Sequence, residues 1–160
     1  MSKIIPILFI GILLSACRGA PASTPLPEPL STPAGSSSSV CSSPSNWSIR
    51  YNRSGGFAGF NESLSLDSGG NLKVQSERPP TDLQKTLSDD QVKAISELLV
   101  QACPFEINPD KGVCADCFTY NLDVEMNGHA YSVQASDVSL PEDLQPLIGA
   151  LSQLLQNTEQ

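Results

Sequence analysis

Cysteine and histidine are the residue types of this chain that could support nucleophilic, redox or metal chemistry. Cys114 and Cys117 have the spacing Cys-Ala-Asp-Cys, which occurs in redox pairs and in zinc sites. A redox pair normally opens a helix, whereas Phe118 begins a run typical of a strand, and a zinc site needs further ligands. The single histidine, His129, follows a turn signal at Asn127-Gly128 and is expected to be exposed on the surface. We therefore predict no catalytic residues, no metal and no cofactor.

The cysteines are more readily explained as disulfides. Cys17 belongs to an N-terminal export signal described below, and the other four cysteines of an exported protein predict two disulfides. Three connectivities are possible, and the sequence does not choose among them. The four candidates are Cys41, Cys103, Cys114 and Cys117.

The acidic residues and the overall charge also argue against an enzyme and against nucleic acid as a partner. The pairs Asp89-Asp90 and Glu142-Asp143 fall in predicted first turns of helices, where carboxylates interact favourably with the helix dipole. The spacing contains no phosphate loop, dinucleotide fingerprint or calcium loop. The net charge is −8 and the basic residues are scattered, whereas phosphate binding needs clustered Lys and Arg.

A glycine-rich run after the first predicted strand is the candidate binding feature. It places a large aromatic residue among residues too small to bury it locally, and its glycines allow positive φ and close backbone approach. One interpretation is a loop presented to another molecule. The other is a glycine-kinked hairpin whose aromatic side chain folds back over the core. The run consists of Arg53, Ser54, Gly55, Gly56, Phe57, Ala58 and Gly59.

The N-terminus predicts export and a lipid anchor. Residues 1–16 combine a basic start with an apolar run that is too short for the ~20 residues of a membrane-spanning helix. Leu14-Ser15-Ala16-Cys17 matches a bacterial lipobox, so we expect Cys17 to be lipidated and to anchor the chain to a membrane. The alternative is an ordinary secretory signal cut nearby, with Cys17 left as a free thiol.

Residues 17–45 are expected to form a disordered tether between the lipidated cysteine and a single domain at residues 46–160. The tether is rich in Pro, Ser, Ala and Thr and contains almost no large apolar side chains, so it cannot form a core. We therefore predict a lipid-anchored protein of the cell envelope, outside the cytoplasm and on the outer membrane if the cell has one.

The domain begins with three predicted strands. Trp47 to Asn52 and Phe60 to Asp67 alternate apolar and polar residues on either side of the glycine run, and Leu72 to Val74 follows a turn. Pro79-Pro80 is expected to break this pattern. Ser88 then opens a helix, because Ser88 and Gln91 are spaced as a capping box.

The second half predicts a hairpin and a final helix. Phe118 to Met126 alternates throughout, Asn127-Gly128 is a strong hairpin signal, and apolar residues return on the partner strand. Pro146 suits a first helical position, and leucines recur on one face after it. We predict an α+β fold of order β-β-β-α-β-β-α, with an antiparallel sheet and two helices packed on one face.

The glycine run from Arg53 to Gly59, placed after a first strand near the start of the domain, resembles the signature of the emfourins, which are small protein inhibitors of thermolysin-like metalloproteases. The order of elements from Trp47 to Leu155 is similar. The resemblance implies that the loop contacts the target, with Phe57 as the anchor and Arg53 at the rim. It also implies that a carboxylate such as Glu62, or a backbone carbonyl, could approach the zinc of the target.

The predicted partner is therefore an extracellular metalloprotease, with the membrane as a second partner through the lipid anchor. The lipid anchor, the tether and the cysteines depart from the family pattern and suit an extracytoplasmic version. The alternative is an envelope or surface binding module that keeps the fold but recognises a ligand other than a protease.

Overall fold

A computed structural model describes residues 41–106 and 114–157. The expected signal peptide, Cys17 and the expected tether up to residue 40 lie outside the described residues. Within the described part of the chain, no helix has both the length and the apolar character needed to cross a membrane.

Six antiparallel strands form one sheet in the order β4-β3-β2-β1-β5-β6. The strand β1 lies near the centre of the sheet, between β2 and β5, so the loop that follows it is flanked by strands on both sides. The strands are β1 (Trp47–Gly55), β2 (Phe60–Asp67), β3 (Asn71–Glu77), β4 (Pro80–Thr86), β5 (Phe118–Met126) and β6 (His129–Ser136).

Alternation along the strands gives the sheet one apolar and one polar face. In β1, Trp47, Ile49 and Tyr51 are buried, whereas the intervening side chains are exposed or half-buried. Because successive strand residues point to opposite faces, this pattern requires a cover on one side only. Two helices supply it, α1 (Asp89–Ala102) and α2 (Gln145–Gln156). They contribute Ile95, Leu99, Leu147, Ile148 and Leu151 to the core.

The helix α1 begins where the sequence predicts, and α2 begins one residue before the predicted position at Pro146. The Ser88 side chain caps α1 by accepting from the Gln91 amide, and the Gln91 side chain reaches back to the Ser88 amide. Pro146 lies in the first turn of α2, after a short 3-10 turn at Glu142–Leu144. The Asn127-Gly128 turn joins β5 to β6, and both residues have positive φ.

The predicted α+β fold is confirmed, with one additional strand. Pro79-Pro80 was expected to break the strand pattern, whereas the structure forms a turn there and continues into β4. Pro80 is the first residue of an edge strand, a position where proline is tolerated because the missing N–H is not needed by a neighbouring strand. The order is therefore β-β-β-β-α-β-β-α.

The prediction of two disulfides is also confirmed, and the structure selects one of the three connectivities. Cys41 pairs with Cys103, which joins the start of the described chain to the residue after α1. Cys114 pairs with Cys117, which closes a short turn immediately before β5.

Candidate functional site

The glycine run forms the connection between β1 and β2. Gly55 and Phe60 are paired across the two strands, so residues 56–59 make a tight turn beyond the end of the sheet. The Gly59 amide donates to the Gly56 carbonyl at 3.1 Å. Phe57 is 96% exposed, so the interpretation in which it folds back over the core is wrong. The loop presents its one aromatic side chain to solvent.

Two of the loop glycines are required by both backbone conformation and space. Gly55 has φ +100°, and a Cβ added there would lie 2.7 Å from the carbonyl oxygen of Cys117. Gly56 has φ +68°, and a Cβ there would lie 2.8 Å from the Phe118 ring. Both values are closer than Cβ atoms normally approach, and positive φ is unfavourable for residues with a Cβ. The loop therefore packs closely on the start of β5.

An ion pair lies beneath the loop, on the helix-covered face of the sheet. Arg53 and Glu62 are directly opposite each other on β1 and β2, and Arg53 Nε donates to Glu62 Oε2 at 2.8 Å. Both residues are buried, with 8% and 4% exposure. The Arg53 guanidinium also lies 4.8 Å from the centre of the Phe118 ring, a cation–π contact.

The ion pair changes the roles that the family resemblance implies for these two residues. Arg53, which the resemblance places at the rim of the contact, has its guanidinium in the interior, where it supports the loop from below. Glu62 is buried and paired with Arg53, so the expectation that it approaches a zinc ion of the target does not fit its position.

Aromatic side chains continue this support toward the core. The Phe118 ring packs near those of Phe60 and Tyr120, with ring centres 6.1 Å and 6.4 Å apart. The Tyr120 hydroxyl donates to Asp137 Oδ1. Burial raises the pKa of Tyr120, and the hydrogen bond to the Asp137 carboxylate raises it further, so this hydroxyl stays protonated as a donor.

Deeper in the core, Tyr51 links β1 to α2. Its hydroxyl lies 2.8 Å from Ser152 Oγ, and its ring centre is 6.3 Å from that of Tyr120. Burial raises the pKa of Tyr51 to about 12. The strand that carries the loop is thus fixed to the helix layer by a neutral phenol.

Three features of this end of the sheet were not predicted from sequence. Arg78, in the turn between β3 and β4, directs Nη1 to the carbonyl oxygen of Ala58 at 3.4 Å. Phe118 forms the floor of the loop, and Val138, after β6, is 40% exposed. The position of each of these three residues depends on strand order and register, which bring residues distant in sequence to one edge of the sheet. A pattern of neighbouring residues in the sequence does not contain this information.

The uncovered face of the sheet holds a hydrogen-bonded row of amides. Gln134 donates to Asn121 at 3.0 Å, Asn121 to Asn52 at 3.5 Å and Asn52 to Asn61 at 3.1 Å. Asn61 then donates to a carboxylate oxygen of Glu77 at 2.8 Å. Because these side chains are hydrogen-bonded to one another, the row connects neighbouring strands and does not form a set of groups that point to a common ligand.

The residues with possible chemistry are far from the loop or already paired. His129 is exposed at the start of β6, at the opposite end of the sheet from the loop. Cys114 and Cys117 are oxidised. Among the described residues, no cluster of three or more His, Cys, Asp or Glu side chains could hold a metal ion.

Comparison with protein families shows that a family model described as Emfourin matches residues 51–152. The matched range starts within β1, ends within α2 and contains the entire glycine loop with the side chains that support it. A comparison with curated proteins found no match.

Proposed function

The chain belongs to the emfourin family, and we propose that it is a membrane-tethered, extracytoplasmic inhibitor of a thermolysin-like metalloprotease that acts through its glycine loop. The family match supports an inhibitory role rather than a catalytic one. The proposal has three further parts. The target is an extracellular protease, the glycine loop contacts this protease, and a lipid anchors the chain to the membrane.

The exposure of Phe57 is the observation that carries the proposal. A phenylalanine that is 96% exposed contributes little to the stability of its own fold, whereas aromatic side chains are among the commonest anchors of protein interfaces. The turn beneath it is fixed by the hydrogen bond from the Gly56 amide to the Cys117 carbonyl at 3.2 Å and by the pairing of Gly55 with Phe118 at the start of β5. Because the loop is held in place before binding, less conformational entropy is lost when the complex forms.

A thermolysin-like enzyme has an apolar pocket beside its zinc ion, and a phenylalanine on a thin glycine loop has the shape to enter it. We assign direct contact to Ser54, Gly55, Gly56, Phe57, Ala58 and Gly59, with Phe57 as the anchor. Arg53 acts on this contact from below, through Glu62 and Phe118.

The described N-terminal residues suit a tethered protein whose loop points away from its attachment. Asn46 and Trp47 lie at the end of β1 opposite the loop, where their carbonyl oxygens accept from the Asn127 and Ser68 amides at 3.3 Å and 2.9 Å. A strand of nine residues separates the two ends by roughly 27 Å at ~3.4 Å per residue. Near the start of the described chain, the Ser42 carbonyl also accepts from the Asn127 side chain at 3.2 Å, at the same end of the sheet. A lipid anchor at Cys17 would therefore be joined to the domain at the end opposite the glycine loop.

The decisive experiment is a titration of the purified full-length chain, in mild detergent, into a thermolysin assay. We expect a stoichiometric loss of protease activity. No loss at molar excess, with the fold intact by circular dichroism, would refute the proposal. Capture of a partner other than a protease from envelope extracts would then favour the alternative binding module. Mass spectrometry of the peptide that contains Cys17 tests the anchor independently, through the mass of its acyl chains.

A further inference from the structure

Two large apolar side chains are exposed in the described part of the chain, and both lie at the same end of the sheet. Phe57 is 96% exposed and Val138 is 40% exposed. Phe57 follows β1 and Val138 follows β6. A single exposed apolar side chain is common on protein surfaces. Two at the same edge of the sheet suggest a surface that contacts another molecule.

Strand order explains how they come together. The strand β5 lies between β1 and β6, and both pairings are antiparallel. Gly55 is paired with Phe118, and Thr119 with Ser136, so the end of β1, the start of β5 and the end of β6 form one edge. Since β5 lies between them, β1 and β6 are separated by two strand spacings of ~4.8 Å, which places their backbones roughly 10 Å apart.

Hydrogen bonds hold the segments of this edge in a row. The Gly56 amide donates to the Cys117 carbonyl at 3.2 Å, and the Asp137 amide donates to the Phe118 carbonyl at 3.3 Å. The Phe118 amide in turn donates to Asp137 Oδ2 at 2.8 Å. The Cys114–Cys117 disulfide closes the middle segment. We call residues 55–59, 114–117 and 137–138 together the contact edge.

We propose that the whole contact edge, and not the glycine loop alone, binds the partner, and that Val138 is a second apolar anchor. This inference rests on the proposed function. It adds which part of this domain contacts the protease and what kind of cleft the protease offers. Phe57 lies in the turn between β1 and β2, and Val138 follows β6, so the backbones that carry the two anchors are two to two and a half strand spacings apart, roughly 10–12 Å. An extended peptide advances ~3.3 Å per residue, so the two anchors match subsites about three to four residues apart in a peptide-binding cleft. The partner is a protease whose elongated cleft offers two apolar subsites.

The test compares Val138→Lys with Ala130→Lys in the full-length chain. Ala130 is also an exposed apolar residue, near the start of β6, but it lies at the opposite end of the sheet and faces Glu125 across the strands. We expect Val138→Lys to raise the inhibition constant at least tenfold and Ala130→Lys to leave it within twofold of the unsubstituted protein. Thermal unfolding checks that both variants fold. If Val138→Lys does not fold, Val138→Ser replaces it.

The outcomes separate the two proposals. If the unsubstituted chain inhibits and Val138→Lys inhibits equally well, the contact edge is refuted while the proposed function stands. If the unsubstituted chain does not inhibit, the proposed function fails and the edge fails with it as a protease contact. A double-mutant cycle between Phe57→Ala and Val138→Ala adds a further check, since anchors in separate subsites should give additive losses.

Discussion

Arg53 and Glu62 face each other across β1 and β2 and form a buried ion pair directly beneath the glycine loop, with Arg53 Nε 2.8 Å from Glu62 Oε2. The guanidinium is also in contact with the Phe118 ring, which packs against Gly56. The pair thus connects both strands that lead into the loop with the start of β5. Its removal should affect the stability of the domain and the position of the loop.

Removing one partner of this pair should be strongly destabilising. Glu62→Ala leaves a buried guanidinium without its carboxylate, and we expect a loss of about 3–5 kcal/mol in the free energy of unfolding, measured with urea. The double variant Arg53→Met/Glu62→Leu should lose less, because it leaves no unpaired buried charge. A loss below about 1 kcal/mol for Glu62→Ala would mean that the pair is solvated like a surface salt bridge.

The loop glycines should differ in their tolerance of alanine. Gly59 has φ +64° and open space around a Cβ, so Gly59→Ala meets only the strain of a left-handed conformation, about 1–2 kcal/mol. Gly55→Ala adds a collision with the Cys117 carbonyl, at 2.7 Å, and we expect about twice that loss or more. Thermal unfolding of the two variants measures the difference. Equal losses would show that the loop relaxes away from β5.

The two disulfides should contribute unequally to stability. Cys41–Cys103 spans 62 residues and Cys114–Cys117 spans three. In the chain-entropy account, the longer loop corresponds to about 4 kcal/mol and the shorter one to less than about 2 kcal/mol. Urea unfolding of Cys41→Ser/Cys103→Ser and of Cys114→Ser/Cys117→Ser tests this order. A larger loss from the second pair would indicate that the disulfide turn stabilises the native state directly.

The parts of the fold that the sequence predicts correctly are those with local signals. The capping box at Ser88 and Gln91 correctly marks the start of α1, whose N-cap residue is Ser88. Asn127 and Gly128 predict the β5–β6 hairpin because both adopt the positive φ that a tight hairpin turn requires. Pro146 marks α2 in the same way. These signals depend on neighbours along the chain, which the sequence displays directly.

The parts that the sequence does not predict depend on strand register. The strand β4 has weak alternation and a proline at its start, and pairing with β3 sustains it. The ion pair of Arg53 with Glu62 becomes visible only when β1 and β2 are aligned, and the edge that joins Phe57 to Val138 requires three strands in order. The sequence alone indicates the glycine loop, because the small residues around Phe57 cannot bury its side chain locally.

Stability should fall at high pH through Tyr51. Burial raises its pKa from 10.0 to about 12 in the folded protein, so the neutral phenol is favoured by folding. This stabilisation is complete below pH 10, the unfolded value, and is lost as the pH rises toward 12, by about 3 kcal/mol at most. Tyr51→Phe should make the free energy of unfolding, measured with urea, fall less steeply between pH 10 and 12. An unchanged profile would assign the loss to other groups, with Tyr120 the first to test.

Replacing Phe57 tests the anchor itself. Because the side chain is 96% exposed, Phe57→Ala should change the free energy of unfolding by less than about 0.5 kcal/mol. An aromatic anchor in a protein interface contributes about 2–4 kcal/mol, so the inhibition constant for a thermolysin-like protease should rise at least tenfold. His129→Ala, an exposed residue at the opposite end of the sheet, is the matched control and should leave inhibition unchanged. If Phe57→Ala inhibits as well as the unsubstituted chain, the loop is not the anchor, and the contact must be sought elsewhere on the domain.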